Sequence, residues 1–97
     1  MRVSLTSDAG DELTEGALYY AREANAELGQ AFLLQFERSI DLLLEHPKFG
    51  ALWRGATRRL PLRRFPYSIV YTLREDEVRV LAVAHQRRRP GFWRGRV

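Results

Sequence analysis

After a short N-terminal segment, the spacing of the apolar residues changes from a helical period before residue 46 to a strand period after residue 57. A first stripe recurs at steps of three and four residues: Leu13, Ala17, Tyr20 or Ala21, Ala24 and Leu28. A second stripe has the same steps: Phe32, Phe36, Ile40, Leu43 and Leu44. This pattern predicts two amphipathic helices, each of which buries one face. Because the link between them is short, we expect an antiparallel hairpin.

Polar and helix-breaking residues mark the expected ends of these helices. Ser7, Asp8 and Asp11 are candidate N-caps of the first helix, because their side-chain oxygens can accept a free backbone N–H. Gly29 interrupts the apolar pattern and predicts the link between the helices. His46-Pro47 predicts the end of the second helix, since a residue before proline avoids the helical conformation.

The remaining segments carry strand patterns. Four of them alternate or are rich in β-branched and aromatic residues: 2–6, 57–62, 67–73 and 78–84. Residues 48–55 are expected to form a loop. We therefore predict one α+β domain over residues 1–97, with a short N-terminal strand and an antiparallel two-helix hairpin packed on a three- to four-stranded, mainly antiparallel sheet. The predicted core includes Leu13, Tyr20, Phe32, Phe36, Ile40, Leu43, Ile69, Tyr71, Val80 and Ala82.

The composition limits the kinds of catalytic and binding site that the chain can form. The chain has no cysteine, which excludes disulfides and thiolate chemistry, and it lacks the common phosphate-loop and metalloprotease motifs. We expect neither a metal nor a cofactor. No apolar run approaches the roughly 20 residues that a membrane-spanning helix needs, and the first residues lack the apolar segment of a signal peptide. We therefore expect a cytoplasmic protein that does not bind membranes.

Charge is distributed unevenly between the two halves of the sequence. Residues 1–46 hold three arginines and nine carboxylates, whereas residues 47–97 hold thirteen basic and three acidic residues. Twelve of those thirteen are arginine, whose planar guanidinium matches phosphate and carboxylate oxygens. The distribution predicts one acidic face and one basic face that contacts an anionic partner. An arginine-rich surface that is only solvated is the alternative.

The residues that could take part in catalysis or binding lie mostly toward the C-terminus. His46 is expected to act at a helix end, whereas His85 ends the last strand beside the tail arginines. His85 is either bonded to the backbone or part of a site. In the tail, Phe92 and Trp93 are either anchors for a partner or, in the case of Trp93, a cover for the sheet edge.

The order of these segments resembles the RelE/ParE superfamily of bacterial type II toxins, in particular its ParE-like, plasmid-stabilisation branch. The motifs that carry the resemblance are Arg59-Leu60, Tyr67-x-Ile69-Val70-Tyr71, the acidic turn, His85 followed by Arg88 and an aromatic pair, and HPxxG from His46 to Gly50. The resemblance covers essentially the whole chain. It implies a toxin that a cognate protein antitoxin neutralises in a hetero-oligomer.

The superfamily includes two activities. RelE-like members are ribosome-dependent endoribonucleases that cut messenger RNA with sheet arginines and a C-terminal tyrosine or a histidine, whereas ParE-like members inhibit DNA gyrase. In this chain the ribonuclease hypothesis assigns catalysis to His85, Arg88 and Arg59. Many ribonuclease members have an arginine at the position of Ser68, and here Phe92 and Trp93 replace the tyrosine. We therefore favour a gyrase inhibitor without enzymatic activity, with the ribonuclease or a non-toxic nucleic-acid-binding module as alternatives.

Two groups of residues are predicted to form the binding surfaces. The target and nucleic-acid phosphates are expected to contact the tail at Arg87, Arg88, Arg89, Phe92, Trp93 and Arg94. The antitoxin is expected to contact Trp53, Arg58, Arg63 and Phe65. Deletion of residues 91–97 is expected to remove target binding and to leave the fold intact.

Overall fold

A computed structural model describes all 97 residues as a helical hairpin on one face of a five-stranded sheet. The elements are β1 (Arg2–Leu5), α1 (Ser7–Glu23), α2 (Ala26–Glu45), β2 (Ala51–Leu52), β3 (Thr57–Pro61), β4 (Tyr67–Arg74) and β5 (Glu77–His85). The predicted α+β class and the order of its elements are confirmed. No helix is both long and apolar enough to cross a membrane.

The sheet has one strand more than the upper number predicted. Its order is β1-β5-β4-β3-β2, with β1 parallel to β5 and all other neighbours antiparallel. The additional strand, β2, lies inside the segment predicted as a loop and pairs only Ala51 with Arg59 and Leu52 with Arg58. Two residues are too few to show a strand period, so the sequence pattern does not reveal β2.

Both helices begin at side-chain caps, and the cap of α1 differs from the predicted ones. The Thr6 hydroxyl caps α1 by accepting the Ala9 N–H at 3.0 Å, in place of Ser7, Asp8 or Asp11. Asn25 caps α2 by accepting the Leu28 N–H at 2.8 Å. The link between the helices is therefore at residues 24–25.

The prediction that Gly29 forms this link is wrong, because Gly29 lies inside α2. A Cβ at this position would lie 2.8 Å from the Ala17 carbonyl oxygen and 3.1 Å from the Ala21 Cβ. Glycine is needed there because the backbones of α1 and α2 approach each other closely. The break in the apolar pattern thus marks a helix–helix contact.

The HPxxG segment is held by a buried tyrosine of β4. The Tyr71 hydroxyl donates to the Pro47 carbonyl at 2.7 Å and accepts the Gly50 N–H at 3.0 Å. A Cβ on Gly50 would lie 2.6 Å from that hydroxyl, so only glycine fits. Burial raises the pKa of Tyr71, which keeps the hydroxyl protonated as the donor to Pro47.

The core has two parts, one on each face of the sheet. The larger part lies between the helices and the sheet and includes Phe32, Leu43, Ile69, Tyr71 and Val80. Leu13 and Tyr20 are partly buried against it. The smaller part lies apart from it and contains Val70, Leu81, Ala82 and Trp93. Ala82 is therefore buried as predicted, but it packs against the C-terminal tail.

A β-bulge in β5 contributes to this second cluster. Val70 pairs with Ala82 and Tyr71 with Val80, so Leu81 is an extra residue without a partner in β4. A bulge changes the direction of side chains and increases local twist. Here it places Leu81 beside Ala82 in the cluster that the tail covers.

Candidate functional site

The C-terminal tail folds back over the sheet through a buried tryptophan. Trp93 is only 4% exposed, and its ring lies 4.5 Å from the ring of Trp53. Gly91 and Gly95 have φ angles of 90° and 85°, which place them in the left-handed region that glycine adopts readily. These two turns bring Trp93 back onto Val70 and Leu81. Of the two alternatives for Trp93, the structure shows the one that covers the sheet.

An arginine near the end of the tail fixes it to α1. The Arg96 guanidinium donates to both oxygens of Glu12, at 2.9 and 3.2 Å, and to the Leu81 carbonyl at 3.0 Å. Asp8 lies 3.4 Å from the same guanidinium. Glu12 also accepts the Val83 N–H at 3.0 Å, where β5 extends beyond β1 and has no strand on that side. Glu12 thus joins α1, β5 and the tail.

A small cleft of about 120 Å³ lies between the tail and the ends of β3, β4 and β5. Its lining consists of Trp53, Arg59, Ser68, Val70, Ala84, His85, Gln86, Arg88, Pro90 and Phe92. The Arg59 guanidinium lies 4.7 Å from the centre of the Trp53 ring, and that of Arg88 lies 4.1 Å from the centre of the Phe92 ring. Cation–π contacts of this kind hold a guanidinium in place while leaving it charged.

The cleft brings together residues that were predicted from the sequence to have different roles. Arg59, His85 and Arg88, the candidates for ribonuclease chemistry, all line it, as does Phe92 from the tail. Ser68 lines it as well and is 6% exposed. This arrangement provides two guanidinium groups for an anionic group, although that of Arg88 also lies 3.5 Å from the Glu12 carboxylate.

His85 occupies the boundary between this cleft and a neighbouring pocket. Its Nδ1 accepts the Arg87 backbone N–H at 3.1 Å. Its ring lies 5.3 Å from the ring of Tyr67 at an angle of 77°. The expected bond to the backbone is present, and Nε2 is the ring nitrogen left for another partner.

The other tail residues predicted to contact a target differ in their accessibility. Arg87, Arg88, Arg89 and Arg94 are exposed, and Phe92 is half-buried. The surface placement expected for Trp93 is wrong, because its ring fills the space over Val70. The tail cannot be removed without uncovering these apolar residues, so the expected independence of the fold from residues 91–97 conflicts with the packing.

The four residues predicted to contact an antitoxin do not form one surface patch. Phe65 is buried in the main core, and Trp53 is half-buried beneath Trp93. The Arg58 guanidinium donates to the carbonyls of Lys48 and Gly50. Arg63 is exposed and lies in a different groove.

That groove, of about 570 Å³, was not predicted from the sequence. It lies between α2 and β3, and Leu42, Phe49, Leu60 and Pro61 provide its apolar surface. Arg38, Arg63 and Arg64 provide its charge, and none of the three forms a salt bridge within the chain. Phe49 is 60% exposed. The sequence contained one indication of this groove, because Phe49 is a large apolar residue outside any segment with a helix or strand period.

The structure thus has a helical hairpin on one face of a mixed sheet, and an arginine-lined cleft and a returning tail on the other. The sequence matches the family described as "ParE toxin of type II toxin-antitoxin system, parDE" over residues 3–90. The chain belongs to this family of toxins.

A solved structure supports the same fold. The structure described as "Chromosomal ParDE TA system from P. aeruginosa" superposes with a TM-score of 0.77 at 19% sequence identity. The match covers 88% of this chain and 95% of that chain. No curated protein matches the sequence.

Proposed function

We propose that this toxin inhibits DNA gyrase in the bacterial cytoplasm and is neutralised by a cognate protein antitoxin in a hetero-oligomer. The observation that carries the proposal is the match to the ParE toxin family over residues 3–90. The cleft and the exposed tail arginines form the surface for the target. The groove between α2 and β3 forms a surface for the antitoxin.

The cleft supports contact with DNA that gyrase holds. Arg59 and Arg88 each lie over an aromatic ring at the cleft, and both are exposed. Guanidinium groups fixed in this way can form paired hydrogen bonds with phosphate oxygens without reading the base sequence. Phe92 adds an apolar contact beside them. Arg87, Arg89 and Arg94 extend the positive charge along the tail.

Two residues of the same cleft, Ser68 and Phe92, argue against RNA cleavage. Ser68 occupies the position where many ribonuclease relatives have an arginine, and it cannot stabilise the negative charge that develops on a phosphorane. Phe92 cannot exchange a proton, whereas the tyrosine of those relatives can. Both differences remove groups that cleavage by a 2′-hydroxyl needs.

A ribosome-dependent endoribonuclease is the second candidate function, and one observation favours it. Arg59, His85 and Arg88 line a single cleft. The Nδ1 atom of His85 is already an acceptor for the backbone, which leaves Nε2 to exchange a proton with the RNA. The two arginines would then contact the scissile phosphate.

The antitoxin surface is supported by complementary chemistry. Arg38, Arg63 and Arg64 have no carboxylate partners in the chain, and Phe49 and Leu42 line the same groove. An acidic amphipathic segment would pair its carboxylates with these arginines and bury its apolar side chains against Phe49. Arg64 has a φ angle of 73°, a conformation that non-glycine residues rarely adopt and that often occurs at binding sites.

The test of the target measures supercoiling by purified gyrase in the presence of the toxin. We expect inhibition by the native chain and weaker inhibition by Arg59→Ala, while Arg2→Ala, on the far edge of the sheet, inhibits normally. A parallel reaction contains ribosomes and messenger RNA. Uninhibited gyrase together with cleaved messenger RNA would establish the ribonuclease in its place. If neither reaction responds to a folded toxin, both functions are excluded.

A further inference from the structure

A pocket of about 370 Å³ lies on the side of His85 away from the tail arginines. It is lined by Tyr19, Tyr20, Pro66, Tyr67 and His85, which we call the tyrosine pocket. These residues come from α1, from the start of β4 and from the end of β5, so the tertiary fold is needed to form it. Neither of the two activities considered above uses its three tyrosines.

The rings of the tyrosine pocket meet at steep angles. Tyr19 and Tyr20 have centroids 5.3 Å apart at 80°, and Tyr20 and Tyr67 have centroids 6.2 Å apart at 63°. Tyr67 and His85 follow at 5.3 Å and 77°. Rings at these angles form the adjoining walls of a box. Aromatic boxes of this kind bind organic cations, because the faces of the rings carry negative electrostatic potential.

The charge around the tyrosine pocket also favours a cation. None of its lining residues is lysine or arginine, although the chain has sixteen such residues and the other two cavities described above are both lined by arginines. The adjoining groove on α1 shares Tyr19 and adds two carboxylates, Glu15 and Glu23, against one guanidinium, Arg22. Burial raises the pKa of Tyr67, and the negative charge of Glu15 raises it further. Glu15 therefore acts electrostatically on the pocket.

We propose that the tyrosine pocket receives the cationic side chain, a guanidinium or an ammonium group, of a protein partner. The ring faces attract the charge, and Glu15 at the rim steers the cation toward them. An anionic ligand is disfavoured by the same carboxylates. Tyr19, which is 55% exposed, is the wall that a partner can reach from solvent. The pocket thus gives α1 a binding role beside the basic cleft, with which the pocket shares only His85.

The test uses the full chain and three small probes of matched size. N-acetyl-arginine amide and N-acetyl-lysine amide carry the two cations, and N-acetyl-citrulline amide is the neutral isostere of the first. Nuclear magnetic resonance follows the amide and ring signals during each titration at low salt. We expect saturable shifts at Tyr19, Tyr67 and His85 with a Kd on the order of millimolar for a cationic probe, and none for citrulline.

Variants separate the pocket from general charge effects. We expect Tyr19→Ala and Glu15→Gln each to weaken binding by about two- to fivefold. Leu34→Ala, which changes an exposed side chain of α2 outside the pocket, should leave binding unchanged. A stronger response to arginine or to lysine identifies which cation the pocket prefers. Equal shifts with citrulline, shifts that do not saturate or map elsewhere, or full binding by folded Tyr19→Ala would each overturn the proposal.

Discussion

Arg96 and Glu12 form a two-point ion pair in which the side chains are only 15% and 14% exposed. They are 84 residues apart in sequence, and their contact connects the end of the tail with the first helix. Glu12 also accepts the Val83 N–H, so one carboxylate accepts hydrogen bonds both from a guanidinium and from a backbone N–H of β5. Loss of Arg96 leaves the Glu12 carboxylate with only Arg88, at 3.5 Å, as a counterion, and loss of Glu12 leaves Arg96 with only Asp8, at 3.4 Å.

The first prediction concerns this pair. We expect Arg96→Ala and Glu12→Ala each to lower the free energy of unfolding by about 2 kcal/mol, because each removes charged hydrogen bonds. Glu12→Gln should cost less than Glu12→Ala, since an amide oxygen can still accept the Val83 N–H. Urea unfolding of the single and double variants measures the coupling. Independent, additive effects of the two alanine substitutions would contradict a direct interaction.

A matched pair of glycines tests the contact between the helices. Gly29→Ala should destabilise the protein by about 1–3 kcal/mol, because its Cβ would lie 2.8 Å from a backbone oxygen that cannot move alone. Gly10→Ala introduces the same methyl group in α1, where no atom lies within 4 Å. There we expect stabilisation by about 0.5–1 kcal/mol. Thermal unfolding of both variants gives the comparison, and equal effects would refute the close approach.

The two aromatic residues of the tail should have different roles. Trp93→Ala opens the outer cluster and should cost about 3–5 kcal/mol of stability. Phe92→Ala should cost less stability, since Phe92 is half-buried, but it should weaken gyrase inhibition by about 1–3 kcal/mol. Unfolding and supercoiling assays on both variants separate these effects. The prediction fails if folded Phe92→Ala inhibits gyrase as strongly as the native toxin does.

The free energy of unfolding should depend on pH through the Glu77 carboxylate. A hydrogen bond from the Ser4 hydroxyl lowers the pKa of Glu77 below its usual value, and nearby Arg2 and Arg79 lower it further. A depressed native pKa gives stability above the unfolded pKa, which is lost as the pH falls through the native pKa. In Ser4→Ala the carboxyl should titrate at a higher pH, as carbon-detected magnetic resonance can measure. The control is Glu75→Gln in the neighbouring turn, and an unchanged titration in Ser4→Ala would rule out the role of Ser4.

Antitoxin binding should depend on both charge and apolar contact in the groove between α2 and β3. We expect Phe49→Ala to weaken binding by on the order of 1–2 kcal/mol at any salt concentration. Arg63→Ala should weaken it mainly at low salt, because ionic screening already reduces its contribution at high salt. Calorimetry with the cognate antitoxin distinguishes the two patterns. Arg74→Ala, outside the groove, is the matched control, and an equal loss in that variant would place the antitoxin elsewhere.

Local periodicity explains why most of the fold was predictable from the sequence. Phe32, Phe36 and Ile40 specify one face of α2, and the β-branched run of β4 specifies a strand, without reference to the rest of the chain. Gly29 was misinterpreted because a glycine within a helix and a glycine between helices produce the same gap in a pattern. Only the position of Ala17 on the neighbouring helix distinguishes them.

The site was predictable in part for a different reason. Arg59, His85 and Arg88 were named because the chain resembles the RelE/ParE superfamily, and the cleft does contain them. The burial of Trp93 depends on Trp53 and on the Leu81 bulge, which are distant in sequence and leave no periodic signal. Glu12 lies near the start of α1, where a carboxylate is common in any helix, so its position in the sequence gives no sign of its contact with Arg96.

The parallel pairing of β1 with β5 has a consequence for the timing of folding during synthesis. Ser4 and Arg79 are neighbours in the sheet although 75 residues separate them. The hairpin of α1 and α2 contains mostly local contacts and can form early, but the first strand must wait for the last one. We therefore expect the nascent toxin to remain incomplete until β5 has left the ribosome. If an antitoxin is already present, we expect it to meet the chain before the cleft has formed, because Arg88 and Phe92 emerge after β5.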